Sequence, residues 1–255
     1  MNWTGFGVTF LALSAIVAAR YFAVAGLAHW LVARDRARAE PKSVKLNAQD
    51  PRPGAIGREI RWSIVSSFIY AAPAAFVIEQ WKLGRTALYT DVSSFGWAYI
   101  PASLLLYLFL HDTYFYWTHR AMHHRALFPV MHNIHHQSRP PTVWAAFSFN
   151  PLESLVGAVF LPALVFVIPL HVGAALALLT IMTVTSVTNH AGYEIFPRSW
   201  MRGPFGRHLI TATHHDLHHR KFSCNYALYF RFWDKLMGTD RMDPGPAAGD
   251  GGSAA

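Results

Sequence analysis

Long apolar runs, broken by short charged segments, leave this chain few ways to fold in water. Five of them, at residues 6–32, 62–81, 97–117, 152–170 and 172–188, approach the roughly 20 residues that an α-helix needs to cross a bilayer. Only 14% of the 255 residues are Asp, Glu, Lys or Arg, against roughly a quarter in soluble domains. Disorder, a collagen-like chain and an ordinary water-soluble globule are all excluded by that balance. Pro73 interrupts the second run, which a membrane helix tolerates. Arg20 falls inside the first, where it would be costly at the bilayer centre. Residues 1–19 carry no basic residue, so a cleaved secretory leader is not expected. The last two runs, joined only around Pro169 and His171, predict a tight helical hairpin. The expected fold class is all-α, an integral-membrane helical bundle of four or five apolar helices. It forms one domain over residues 1–243, with a motif-bearing core at 97–240 and a small, flexible tail at 244–255.

The basic residues set the expected topology. Of the 22 Lys and Arg, Arg20 lies within the first run and Lys82 and Arg85 follow the second. The remaining nineteen fall after the first, third and fifth runs, so those segments should face the cytoplasm. The formal charge of +8 is then a topological signal, and it is spread over three segments rather than gathered with stacking aromatics on one face. No nucleic-acid partner is expected.

Histidine is the second constraint. Thirteen of the fifteen lie from His111 onward and outside the hairpin, on or beside the segments assigned to the cytoplasm. In HDTYFYWTHRAMHH, His119 and His123 are four apart, one turn along a helix face, and His124 follows directly. His132, His135 and His136 in HNIHH stand at i, i+3 and i+4, a spacing that faces one direction on an α-helix; His215, His218 and His219 repeat it, with His214 alongside. His190, in TNHAGYE just past the fifth run, is placed to complete the set. Surface imidazoles have no need of such recurrent spacing, and charged together they would repel, whereas metal binding requires them neutral. More than six candidates exceed what one ion accepts, so two metals are expected. Imidazole suits iron, zinc and copper alike. The single cysteine, Cys224, rules out a four-thiolate site within the chain. His29 and His171 lie far from the clusters and are read as structural. His111, deeper in the third run, is a candidate for the substrate cavity or an extra ligand, as His214 is for a ligand. Asp112 and Tyr116 share a helix face with His119, and Asp216 sits inside the last cluster. All three are candidates to support the ligands by hydrogen bonds, Asp112 through an imidazole N–H.

The strings DTYFYWTHRAMHH, HNIHH, NHAGYE and HHDLHHRKFSCNYALYFRFWDKLMGT, in that order, resemble the fatty acid hydroxylase and sterol desaturase superfamily of integral-membrane di-iron oxygenases. The resemblance runs over residues 112–239, and the ending FWDKLMGT is similar to the family's closing signature. It implies a cytoplasmic di-iron cap with ligands at His119, His123 or His124, His132, His135, His136, His190, His215, His218 and His219. Some relatives carry a further histidine one turn before His190, where this chain has Ser186. It also implies two iron ions and dioxygen as co-substrate, with hydroxylation of a lipid or isoprenoid C–H bond (carotenoid, fatty acyl or sphingoid, or sterol-like). Desaturation at the same site is the alternative.

Such chemistry consumes two electrons from outside. The chain has neither a Gly-rich nucleotide fingerprint nor a cysteine set for a cluster, so separate redox partners such as a ferredoxin and its reductase are expected. Composition and the lack of a fused donor lean towards a bacterial inner membrane. A metal transporter or sensor would place its ligands along a path within the spans, and a haem protein would want them at bundle depth; neither matches histidines gathered at the membrane edge.

Overall fold

The structure is a computed structural model and describes residues 3–242. The flexible tail expected at 244–255 lies outside the described residues. Nine helices are formed among those described: α1 (Trp3–Arg36), α2 (Ala55–Lys82), α3 (Tyr99–Met122), α4 (Phe128–Met131), α5 (Pro151–Leu164), α6 (Val172–Asn189), α7 (Arg198–Arg202), α8 (Ala212–Lys221) and α9 (Phe232–Leu236). Two-residue strands make two small pairs. Strand β1 (Val44–Lys45) pairs antiparallel with β4 (Tyr193–Glu194), and β2 (Leu88–Tyr89) pairs parallel with β3 (Leu170–His171). The first pair follows the C-termini of α1 and α6, at the histidine end; the second lies at the opposite end, after α2 and before α6.

Helix boundaries follow local chemistry. Asn150 caps α5 by accepting the Leu152 N–H at 2.9 Å, with Pro151 at the first helical position. The His171 ring caps α6 by accepting the Gly173 N–H at 3.0 Å, while its Nε2 sits 3.0 Å from the Thr90 carbonyl. Thr211 and His214 form a capping box at the start of α8. Helix α2 runs through Pro73 for 28 residues.

Five apolar runs become three helices long and apolar enough to cross a membrane: α1, α2 and α6. The chain is an integral membrane protein by that measure. The fourth run yields only the 14-residue α5, after which the chain turns into β3. Helix α3 is long enough, but His111, Asp112, His119 and Arg120 dilute its apolar character. The expected hairpin is not a packed pair either: α5 lies mainly against α2, and α6 against α3 and α1.

Small polar residues share the bundle interior with apolar core residues, while many large apolar side chains face outward. Ser14, Ser63, Ser66, Ser67 and Ser103 are buried between helices, whereas Leu11, Ile16, Phe68 and Leu105 are exposed. Small residues let the helices approach closely, and their hydroxyls bond across or back, as Ser66 Oγ does to Ser154 Oγ at 2.9 Å. At the histidine end, Tyr116, Ile210, Tyr226 and Ala227 form a small core with Trp233 against it, fixing the last segment of the chain on α3.

Candidate metal centre

Nine imidazoles converge at one end of the bundle in two adjacent groups. His119, His123, His132, His136 and His218 form one; His135, His190, His215 and His219 form the other. Within each group the ligand nitrogens lie within 4.8 Å of one another, so each could hold a metal ion. The groups touch, with ring centroids 4.6 Å apart for His136 and His219 and 5.2 Å for His132 and His135.

Four elements supply these rings. Helix α3 presents His119 and, as its C-cap, His123; His190 caps α6; and α8 carries His215, His218 and His219. HNIHH is not α-helical: α4 ends at Met131 and His135–Gln137 is a 3-10 turn. The i, i+3, i+4 spacing therefore does not aim these rings in one direction, and His135 goes to one group while His132 and His136 go to the other. On α8, His218 likewise parts from His215 and His219.

The outward nitrogens explain the orientation. His119 Nδ1 lies 2.7 Å from the Tyr226 carbonyl, His218 Nδ1 2.7 Å from that of Cys224, and His190 Nδ1 2.7 Å from that of Ser186. His135 Nδ1 is 3.3 Å from the Ser148 carbonyl. A carbonyl only accepts, so in these four rings Nδ1 carries the proton and the Nε2 lone pair faces inward. Within the groups, Nε2 meets Nε2 at 2.9 Å for His119 and His132, 3.1 Å for His136 and His218, and 2.9 Å for His190 and His215. His135 and His190 both donate outward, and their Nε2 atoms, 3.2 Å apart, bring two acceptor lone pairs together, an arrangement that a cation relieves. Burial, reinforced by neighbouring rings, holds His132, His135, His136, His215, His218 and His219 well below the usual imidazole range. The rings are neutral and available as ligands.

Carboxylates support the cage indirectly. His132 Nδ1 lies 2.8 Å from Glu153 Oε1, at ion-pair distance although the angle falls short of a hydrogen bond. Asp112 meets no imidazole N–H: its Oδ1 accepts the backbone N–H groups of Leu228 (3.0 Å) and Tyr229 (2.8 Å). The position expected for it at His119 is taken by the Tyr226 carbonyl. Asp234 accepts the amides of Tyr226 (2.9 Å) and Ala227 (3.0 Å) and the Thr239 hydroxyl (2.8 Å), which partly offset the upward push of burial on its carboxyl. Four successive amides, 226 to 229, are thus pinned by two buried carboxylates; the Tyr226 carbonyl faces His119, and the Cys224 carbonyl, two residues before the segment, faces His218. Glu153 and Asp234 escape a reading of histidine spacing. Glu153 carries the same signal as Asp112, a lone carboxylate in an apolar run.

The other candidates sit outside the cage. His124 is exposed, and its Nδ1 accepts only the Ala126 N–H, at 3.4 Å. His111 pairs with the Tyr229 hydroxyl at 2.9 Å, and His214 is occupied in the α8 capping box, its Nε2 without a hydrogen-bond partner. Tyr116 bonds Thr239 at 3.0 Å and stacks on Trp233. Asp216 is buried and holds Asn47 and Arg220. An apolar groove of about 640 Å³ runs along α3 between Phe109, Phe230 and Phe232, and none of the nine rings lines it.

The chain is similar to known proteins over the segment that carries these rings. The family described as fatty acid hydroxylase matches residues 104–239, more than half of the chain and all nine rings. A Delta(7)-sterol 5(6)-desaturase of Gibberella zeae is 28% identical over 243 residues, covering 93% of this chain and 67% of the relative. Lathosterol oxidase of Rattus norvegicus is 29% identical over 86% of this chain and 70% of its own. A methylsterol monooxygenase of Aspergillus fumigatus is 38% identical over a shorter stretch, 55% of this chain and 47% of the relative. No solved structure matches significantly. A family match that spans the whole cage and the segment that orients it, in a helical membrane bundle, leads to one conclusion: the chain belongs to the fatty acid hydroxylase family, within the superfamily that includes the sterol desaturases.

Proposed function

We propose that this protein hydroxylates an unactivated C–H bond of a membrane lipid, using dioxygen at two irons held by its two groups of imidazoles. The substrate class favoured is sterol-like, the class named for the relatives, over the fatty acyl and carotenoid alternatives. The observation that carries the reading is the convergence of nine imidazoles in two touching groups, with outward N–H groups tied to carbonyls. An all-nitrogen donor set with only His123 less than fully buried fits a pair of transition-metal ions. When bound, the irons supply the oxidant strong enough for an aliphatic C–H bond.

The chain's own residues do the rest. The carbonyls of Cys224, Tyr226, Ser186 and Ser148 hold ring orientation and tautomer, and Glu153, 2.8 Å from His132 Nδ1, is placed to orient that ring. Burial excludes water from the rings. In this assignment His123 is a ligand, and His124, His111 and His214 are not. The nineteen basic residues support a cytoplasmic orientation for the histidine end. There a lipid arrives sideways from the bilayer and electrons arrive from a separate aqueous donor, such as a ferredoxin with its reductase. Desaturation is the second reading, supported by the desaturase among the relatives; both reactions begin with hydrogen abstraction.

Expression in a host that makes sterols, fatty acids and carotenoids, followed by mass spectrometry of its lipids under labelled dioxygen, tests the proposal. A sterol-like product carrying one labelled oxygen is expected. A product lighter by two hydrogens shifts the assignment to desaturation, and no altered lipid refutes both.

A further inference from the structure

Two aromatic rings, Phe222 and Phe128, cover the first histidine group from outside. Phe222, the C-cap of α8, has φ of 64°. Bulky residues rarely adopt that left-handed conformation, and this position usually falls to glycine. The strained backbone is held by its N–H bond to the His218 carbonyl (2.8 Å) and by the ring's packing. The ring centroid lies 4.5 Å from His136, 5.9 Å from His123 and 5.5 Å from Phe128. Outside it, the Arg139 guanidinium covers the ring at 4.1 Å and donates to the His136 carbonyl at 2.9 Å.

The surroundings are basic. Arg139, Lys221 and Arg52 are exposed, Arg52 stands near enough to Arg139 to act on its charge, and Arg58 donates to the neighbouring Gln137 carbonyl at 3.0 Å. Among the described residues, these four cations have no carboxylate in ion-pair contact. A half-buried aromatic ring in contact with the cage is thus framed by exposed or half-buried cations.

The geometry points to this face as the docking surface for an acidic one-electron carrier protein, with Phe222 as the contact through which electrons reach the histidine cage. The inference rests on the oxygenase reading. At each docking the carrier's reduced cluster loses one electron and the histidine-held centre gains it. Two dockings supply the two electrons that, with two protons, reduce one oxygen atom of O2 to water while the other enters the C–H bond. Charge complementarity would speed encounter and make docking salt-sensitive. An anionic lipid headgroup would suit the charges, but it gives no reason for an aromatic contact against the cage.

The test uses the full chain in nanodiscs of zwitterionic lipid, with an acidic [2Fe–2S] ferredoxin as the probe. Metal-free protein should bind the ferredoxin at low salt and release it as salt rises. Arg52→Glu with Lys221→Glu, which touches no imidazole, should weaken binding by about tenfold or more. No binding by the wild type, or unchanged affinity in the double variant, overturns the proposal. So does unchanged affinity accompanied by reduced phosphatidylglycerol retention in native mass spectrometry, which would identify a headgroup face. In iron-loaded protein, Phe222→Gly, whose backbone suits φ of 64°, should slow reduction by ferredoxin at least severalfold while Kd and reduction by dithionite stay at wild-type values, and Phe222→Tyr should restore the rate. Equal slowing with both reductants would mean a structural role only, and would overturn the electron path. Failure of the oxygenase reading shows differently, as absent iron uptake or absent dithionite-driven product, with ferredoxin binding unaffected.

Discussion

Replacing Asp234 attacks the cage without touching a ring. Its Oδ1 accepts from the Tyr226 amide and the Thr239 hydroxyl, and its Oδ2 from the Ala227 amide. Asparagine would keep one oxygen and turn an NH2 group towards the Ala227 N–H, so one bond is lost and two donors face each other in a buried place. An orphaned buried donor costs about 1–3 kcal/mol, and the two remaining bonds lose their charge assistance, for a total of about 2–4 kcal/mol. Alanine would lose all three bonds, roughly 4–6 kcal/mol. The same segment carries the Tyr226 carbonyl that faces His119, and the Cys224 carbonyl that faces His218 lies two residues before it, so both variants should also bind metal about 10- to 100-fold more weakly. Denaturant unfolding of the metal-free protein in detergent, paired with a chelator-competition titration, reads both quantities. An Asp234→Asn protein with wild-type midpoint and wild-type metal affinity would refute the claim that this carboxylate organises the cage.

Other outcomes follow from the same geometry. His135→Ala and His218→Ala, one from each group, should lower metal content by elemental analysis and abolish product without impairing membrane insertion, whereas the exposed His124→Ala should keep both; a loss confined to His124→Ala would reverse the assignment. Glu153→Gln should weaken metal binding about 10-fold or more through His132, and an unchanged affinity would make that contact incidental. The buried rings take up protons only when the metal-free protein unfolds, because their folded pKa values are depressed. Stability is therefore full above an unfolded pKa of about 6.5 and falls as pH drops below it, by up to about 1.4 kcal/mol per pH unit for each such ring; a flat unfolding midpoint between about pH 7 and 5 would contradict this. A Cβ on Gly206 would lie 2.2 Å from the Trp200 carbonyl oxygen, so Gly206→Ala should cost about 1–3 kcal/mol or more, visible as a lowered Tm; no shift would show the turn to be loose.

Histidine spacing and apolar length carried much of this protein in the sequence. The repeated clusters from His119 to His219 single out the residues that the fold gathers, because one chemical type recurs at helical intervals in segments otherwise apolar or basic. Apolar length was less decisive. Residues 152–170 read as a span, yet α5 stops at Leu164, because hydropathy records the environment a segment tolerates and not where its backbone turns. Asp112 was legible as a buried carboxylate, but its partners are amides more than a hundred residues away in the chain, and a partner set by tertiary contact leaves no trace in local spacing.

What the sequence by itself determined is the material: a helical membrane chain, a basic face on one side, and a surplus of imidazoles beyond what one ion can use. Only the tertiary structure decided how that surplus is divided. It sends His135 to one group and its neighbours His132 and His136 to the other, leaves His124 in solvent, and gives His119 a carbonyl partner in place of Asp112. The reason is directional. A ligand needs its lone pair aimed to within a fraction of an ångström, and that aim comes from a 3-10 turn, two helix caps and a pinned loop brought together from distant parts of the chain.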